Sequence, residues 1–204
     1  MDEGFPDNLR FGDRLYAVRE IRIERNEQRG EQSMAVGRRN AAKPLVADMI
    51  VENHEGLPIL LVEVKARKAD SRTINQVTNY LHYFQTLFLR EANLPTLYAM
   101  IVDPERIEVF VWDGNQLTGP VFSAEAGPIL GYYSAYYEDF LARGIRKSFL
   151  ETLVKAWLRD LNYQWKTKSS NVPGADALAE IGLLSQLKDS TIHHGVPIRG
   201  NPIP

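Results

Sequence analysis

The sequence has no cysteine among its 204 residues, and this absence excludes a whole group of sites. Disulfide frameworks, thiolate zinc sites, iron–sulfur clusters and cysteine nucleophiles all require a thiol. The sequence also lacks any apolar run close to the roughly 20 residues that a membrane-spanning helix needs. Its first four residues, Met-Asp-Glu-Gly, are acidic and polar, which is atypical of a secretory signal. We therefore expect a cytoplasmic protein with no membrane partner.

An excess of either charge is also missing, since 24 Lys and Arg face 26 Asp and Glu for a net charge of −2. This balance excludes a uniformly basic surface that grips nucleic acid, although it leaves room for a local basic patch. The hydrophobic fraction of 44% is typical of a globular protein and excludes a mostly disordered chain. We expect one α/β domain over residues 1–165 and a polar C-terminal tail over 166–204 with one short helix, about 176–188.

Hydrophobic periodicity predicts strands and helices in alternation. Strands are expected over residues 45–51, 59–66, 96–102, 106–112 and 116–122. Helices are expected over about 73–91, from Pro128 to Phe140, and behind a capping box formed by Ser148 and Glu151. Because the first two strands are apolar on both faces, they should lie in the centre of a sheet. The expected fold class is α/β, with a central mixed sheet flanked by helices.

Two of these helices carry apolar stripes that should face the core. In the helix over 73–91 the stripe comprises Ile74, Val77, Leu81, Phe84 and Phe88. In the helix after Pro128 a tyrosine group follows helical spacing: Tyr132, Tyr133, Tyr136 and Tyr137. This spacing favours packing in the core over stacking on nucleic-acid bases.

Charged side chains interrupt the first two predicted strands. By the two-residue period of a strand, Asp48 faces one way on the first, and Glu63 and Lys65 share a face on the second. If the two strands pair, these three groups can meet among Val, Ile and Leu. A plain ion-pair cluster on a half-exposed face is the structural alternative. Buried charges need compensation, and two anions with one cation leave a net negative pocket.

A divalent cation is the obvious partner for such a pocket. Carboxylates without thiolates or imidazoles suit a hard ion, Mg²⁺ above all and Mn²⁺ as a substitute, and the Val64 carbonyl could add a ligand. Such a metal lowers the pKa of its bound water and neutralises charge on a phosphate, while Lys65 would orient or deprotonate that water. The residues therefore predict phosphodiester hydrolysis.

The same residues carry a family resemblance. Asp48, fourteen further residues and then Glu63-Val64-Lys65 resemble the PD-(D/E)xK nuclease superfamily, with its restriction-endonuclease-like fold. Gln76 to Tyr80 is similar to the Q-x-x-x-Y element of RecB-type nucleases and of type I restriction endonuclease subunits. The resemblance covers roughly residues 40–112. It implies a DNA nuclease, endonuclease or exonuclease, of the kind found in restriction-modification systems.

The resemblance also implies roles for individual residues. Asp48 and Glu63 would bind the metal, with an upstream acidic residue, Glu20 or else Glu24, as a further ligand. Lys65 would be catalytic, supported by Gln76. Nucleic acid would be contacted by Arg67, Lys68, Arg72 and Tyr80. Each supporting residue has a plainer alternative: a capping box with Thr73 for Gln76, core packing for Tyr80, and a solvated strand end for the basic residues.

The sequence departs from the family pattern at three points. Ala47 stands where the family name has proline, and the upstream acidic residue is not fixed. No phosphate-binding loop is present, so such a nuclease would either stand alone or take a motor or a specificity element from a protein partner. The alternative function is an inactive nuclease-fold module that binds nucleic acid or protein in a defence or repair complex. The sequence leaves open DNA versus RNA, single versus double strands, and the oligomeric state.

Overall fold

Six strands form one sheet, and helices lie on both of its faces. The structure is a computed structural model, and it describes residues 45–88, 96–163 and 172–198. The strands are β1 (Leu45–Glu52), β2 (Pro58–Val64), β3 (Tyr98–Val102), β4 (Arg106–Trp112), β5 (Leu117–Glu125) and β6 (Thr191–Ile198). The helices are α1 (Ser71–Phe88), α2 (Ala126–Leu130), α3 (Tyr137–Arg143), α4 (Lys147–Tyr163), α5 (Ala175–Glu180) and α6 (Leu183–Leu187). Among these, no helix is long and apolar enough to cross a bilayer.

The sheet is mixed, with the strand order β5-β4-β3-β2-β1-β6. Only β2 and β3 pair in parallel, and α1 forms the crossover between them. The other neighbouring strands are antiparallel. Every residue of β2 and of β3 is buried, which confirms that β2 is central. The predicted α/β class and its flanked mixed sheet are therefore confirmed.

Alternation along β1 and β2 divides the core between the two faces. Residues such as Met49 and Val62 belong to a large cluster that includes Trp157 and Leu158 of α4. The opposite face carries Asp48 and Glu63, and there α1 contributes its own buried side chains, Val77, Tyr80 and Leu81. Each face of the sheet is thus covered by one long helix, and the charged groups lie on the α1 side.

The C-terminal residues contribute more structure than the predicted tail with one helix. Two short helices replace the helix expected over 176–188, because Gly182 between them adopts a left-handed conformation with φ 79°. Residues 191–198 then form β6, which pairs antiparallel with β1. A boundary near residue 165 lies outside the described residues and stays a prediction.

The helix predicted from Pro128 to Phe140 is broken into α2, a 3-10 turn at 131–133, and α3. Ser134 is extended, with φ −156° and ψ 117°, and this shifts the apolar stripe out of phase. Tyr137 is buried as predicted, but Tyr132 and Tyr136 are 68% and 66% exposed, so the prediction of core packing was wrong for these two.

The start of α1 also differs from the prediction. The Asp70 side chain caps the helix, and its Oδ1 accepts hydrogen bonds from the backbone N–H groups of Arg72 (3.0 Å) and Thr73 (3.1 Å). Val77 and Leu81 are buried as expected, whereas Ile74 is 39% exposed. The side chains of Phe84 and Phe88 lie outside the described part. The expected Ser148 cap is likewise wrong, because α4 already begins at Lys147.

The cap at Asp70 gives a prediction about stability. Asp70→Ala should lower the free energy of unfolding by about 1 kcal/mol, because two N–H groups of the first turn lose their acceptor. Asp70→Asn should retain most of the stability, since an amide oxygen can accept the same bonds. Urea denaturation of the three proteins measures the difference, and an equal loss in both variants would contradict this role of Asp70.

Candidate active site

The register of β1 and β2 brings Asp48 next to Glu63. Met49 lies opposite Val62 in this antiparallel pair. Asp48, which precedes Met49, and Glu63, which follows Val62, are therefore neighbours on the other face of the sheet. Lys65, two residues beyond Glu63, remains on this side, and its Nζ donates to Glu63 Oε1 at 2.7 Å. The three groups that the strand alternation placed on one face therefore lie together there.

Both carboxylate oxygens of Asp48 are engaged. Oδ2 accepts a 2.7 Å hydrogen bond from the backbone N–H of Val64, at the end of β2. Oδ1 accepts a 2.6 Å bond from Nζ of Lys147, the first residue of α4. The Asp48 side chain is only 9% exposed. Its charge is thus balanced by a residue that is 99 positions away along the chain.

Glu63 is the most deeply buried charge of the site, with 1% of its surface exposed. Its Oε1 accepts from Lys65 and, at 3.3 Å, from Nε2 of Gln76. Its Oε2 is buried and has no hydrogen-bond partner among the described residues. Burial raises the pKa of Glu63; the hydrogen bond from Lys65 opposes this, and the charge of Asp48 adds to it. An unpartnered carboxylate oxygen in this position is expensive for the fold.

Gln76 connects the helix α1 to these charges. Its Oε1 accepts from Lys65 Nζ at 3.1 Å, and its Nε2 donates to Glu63 and to the hydroxyl of Tyr80. Because Asp70 caps the helix, the side chain of Gln76 is not needed there. Gln76 therefore contacts Lys65 and Glu63 instead of closing the start of the helix, and its role in catalysis stays a prediction.

Tyr80 supports this network from the protein interior. Its side chain is 1% exposed and its hydroxyl is bonded to Gln76. Burial raises its pKa; the bond to Gln76 lowers it, and the nearby carboxylate of Glu63 raises it further. Tyr80 therefore lies where it can hold Gln76, and its expected contact with nucleic acid stays a prediction.

Lys147 and Glu151 are site residues that the sequence did not reveal. They lie one turn apart on α4, with 3.7 Å between Lys147 Nζ and Glu151 Oε1. Burial lowers the pKa of Lys147, but the hydrogen bond and charge of Asp48, with help from Glu63 and Glu151, leave it raised. Burial, followed by repulsion from Asp48, raises the pKa of Glu151. Two ammonium groups, those of Lys65 and Lys147, thus interact with the three carboxylates of the site.

One signal could have pointed to Lys147. A cation in the first turn of a helix is opposed by the helix dipole and needs a compensating partner. Lys147 is the first residue of a 17-residue helix. What the sequence could not give was the identity of that partner, because it depends on how α4 is placed relative to β1.

The basic residues Arg67, Lys68 and Arg72 follow Lys65 closely along the chain. Arg67, Lys68 and Arg72 are exposed, and Lys68 Nζ lies 3.0 Å from Glu105 Oε2. Asp103 anchors this segment, because its Oδ2 accepts from Ala69 N at 2.9 Å. Their contact with nucleic acid stays a prediction. The upstream acidic candidates Glu20 and Glu24 lie outside the described residues.

The fit to a cation depends on the same carboxylates. Within the described ranges, no group of three or more His, Asp or Glu is arranged to hold a metal ion. Nevertheless, the buried Oε2 of Glu63 is an anionic donor without a partner there, beside Asp48. An oxygen of this kind suits Mg²⁺ or Mn²⁺, so Asp48 and Glu63 would be the residues of this site that hold such an ion.

The raised pKa of Glu63 predicts a pH dependence. The pKa of Glu63 is higher in the native protein than in the unfolded chain, so this group destabilises the fold as the pH rises from 4.5 through its raised native pKa. Glu63→Gln lacks this titration. Its free energy of unfolding, relative to wild type, should therefore improve between about pH 4 and pH 7. Urea unfolding of both proteins at the two pH values measures this, and a constant difference would contradict it.

The contact between Asp48 and Lys147 gives a second prediction, for a double-mutant cycle. Asp48→Asn, Lys147→Gln and the double variant should reveal a coupling of about 1 kcal/mol, since the Asp48 side chain is 9% and the Lys147 side chain 43% exposed. The pair of Lys68 and Glu105 is the control. Its side chains are 71% and 58% exposed, so its coupling should be near zero. Equal coupling in the two pairs, measured by urea denaturation, would count against a structural role for Lys147.

Comparison of the chain with protein-family models, with curated proteins and with solved structures found no match. The fold and the site therefore stand on their own geometry, and any assignment of function rests on the residues described above.

Proposed function

We propose that this protein is a Mg²⁺-dependent nuclease of the PD-(D/E)xK type, with a restriction-endonuclease-like core, which hydrolyses phosphodiester bonds of DNA. One observation carries the proposal. The Oε2 of Glu63 is buried and has no partner among the described residues, and it lies beside Asp48, Lys65 and Gln76. A fold that served stability alone gains nothing from such an oxygen, whereas a cation site requires one.

In the proposed reaction Asp48 and Glu63 hold the cation, which would supply an acidified water and charge neutralisation at the phosphate. The protein's own part is to position the Lys65 ammonium group. Lys65 Nζ is held by Glu63 Oε1 and Gln76 Oε1, at 2.7 and 3.1 Å, and keeps capacity to orient the attacking water. Tyr80 fixes the Gln76 amide that fixes Lys65. Accurate positioning of this kind is worth several kcal/mol of an activation barrier.

In the proposed approach of the substrate, its phosphates first meet the exposed basic residues that follow β2. Arg67, Lys68 and Arg72 lie on the segment and helix start that follow β2, so phosphates bound there would be directed to Lys65. The near-neutral net charge of −2 limits nonspecific affinity. Because the sequence has no phosphate-binding loop, we infer that the nuclease either acts alone or uses a motor or specificity element of a protein partner.

A second candidate function is supported by the state of Asp48. Both of its oxygens are bonded, to Lys147 and to the Val64 N–H, and a cation would have to compete with these contacts. This favours, as an alternative, a nuclease-fold module without turnover that binds nucleic acid or protein within a defence or repair complex.

The proposed activity predicts divalent-cation-dependent cleavage. Purified protein should cleave single-stranded or duplex DNA with Mg²⁺ or Mn²⁺, and Asp48→Asn and Lys65→Ala should each lower the rate by roughly 100-fold or more, as expected for groups that bind metal or transfer protons. Gel assays on end-labelled and circular DNA measure the rate and also separate exonuclease from endonuclease cleavage.

Two variants serve as matched controls. Glu180→Gln and Lys155→Ala remove exposed charges away from the site, on α5 and α4, and should leave cleavage unchanged. If Asp48→Asn and Lys65→Ala cleave as fast as wild type, the proposed site is wrong. If no cleavage occurs but DNA or a protein partner is still bound, the module without turnover is the better function.

A further inference from the structure

The ammonium group of Lys147 lies where two carboxylates converge. Its Nζ is 2.6 Å from Asp48 Oδ1 and 3.7 Å from Glu151 Oε1. Its charge also reaches Glu63, whose pKa it lowers. A single cationic group therefore interacts with the three carboxylates that surround this end of β1 and β2.

Lys147 can leave this position more easily than the other lysine of the site can leave its own. The Lys147 side chain is 43% exposed, and it hangs from the first residue of α4 on a flexible four-carbon stem. The Lys65 side chain is 28% exposed and donates to both Glu63 and Gln76. Of the two, Lys147 thus has the more direct path into solvent.

We propose that Lys147 is an exchangeable internal cation, and that a divalent cation binds by displacing its ammonium group from between Asp48 and Glu151. This rests on the proposed function, in which Asp48 and Glu63 hold such an ion, and Glu151, the other carboxylate beside Lys147, would move towards the ion once the ammonium group has left. A doubly charged ion gains more from these anions than a single ammonium does, at the same effective dielectric constant. Lys147 sets the cation concentration that binding requires, because its ammonium group competes with the cation for Asp48.

Displacement has a chemical readout on the wild-type protein. A lysine amine released into solvent reacts faster with an acetylating reagent than one bonded to a carboxylate. Added Mn²⁺ should raise the acetylation rate of Lys147 several-fold, measured by mass spectrometry at constant ionic strength. Lys155, exposed on the same helix, is the internal control and should not change. An unchanged or reduced rate at Lys147 would overturn the proposal.

Calorimetry of Mn²⁺ binding gives the thermodynamic test. Lys147→Gln should bind Mn²⁺ roughly tenfold more tightly than wild type, because the competing charge is gone. Lys147→Arg keeps the charge and should bind no more tightly than wild type, and Lys155→Gln should bind like wild type. Glu151→Gln should weaken binding in the Lys147→Gln background.

The outcomes separate this inference from the proposed function. Binding by wild type with the same affinity in Lys147→Gln would overturn the exchange and leave the nuclease proposal standing. Binding by Lys147→Gln alone would support the exchange and would favour the module without turnover for the wild-type chain. No binding by either protein would overturn both proposals. If Lys147→Gln does not fold, the acetylation of wild type still decides the matter.

Discussion

The site depends on one constraint, the burial of the Glu63 carboxylate beside Asp48 in the middle of a sheet. Two neighbouring acids on one face of β1 and β2 repel each other, and water that would screen them is largely excluded. The chain compensates with cations and donors from elements that meet only in the folded state. Lys65 follows β2, Gln76 lies on α1 and Lys147 begins α4. The positions of these elements and the charge balance of the site therefore depend on each other.

The two ammonium groups divide this task unequally. Lys65 is held by a carboxylate and by an amide, and the amide is itself held by Tyr80. Removal of any member leaves another buried polar group unpaired, which makes such networks rigid. Lys147 is bonded to Asp48 at 2.6 Å, and its side chain is 43% exposed. The structure thus combines a lysine held by two side chains, Lys65, with a more exposed one, Lys147, beside Asp48 and Glu151.

Local patterns in the sequence determined much of the fold but less of the site. The alternation around Asp48 and Glu63 predicted the two central strands and the common face, because side-chain direction in a strand depends only on position. Tyr132 and Tyr136 were misassigned to the core because a local break at Ser134 changes the helical phase. β6 and the partner of Asp48 depend on contacts between distant segments, and no local pattern reports them. Two adjacent acids, Asp48 and Glu63, would by themselves predict that neutralising Asp48 stabilises the protein. Because Asp48 is bonded to Lys147 and to the Val64 N–H, the structure predicts instead that this change destabilises it.

The proposed cation site would present a folding problem, because the fold must form before an ion can bind. Buried carboxylates without a counter-charge would favour the unfolded chain, where each acid is fully hydrated. Lys147 offsets part of this cost within the chain itself, since it joins α4 to β1 through Asp48. An internal ammonium is weaker than a divalent ion as a partner for three carboxylates, so it can stabilise the folded state and still yield to the ion. The Oε2 of Glu63 has no partner among the described residues, so Lys147 leaves part of the charge of this cluster without compensation.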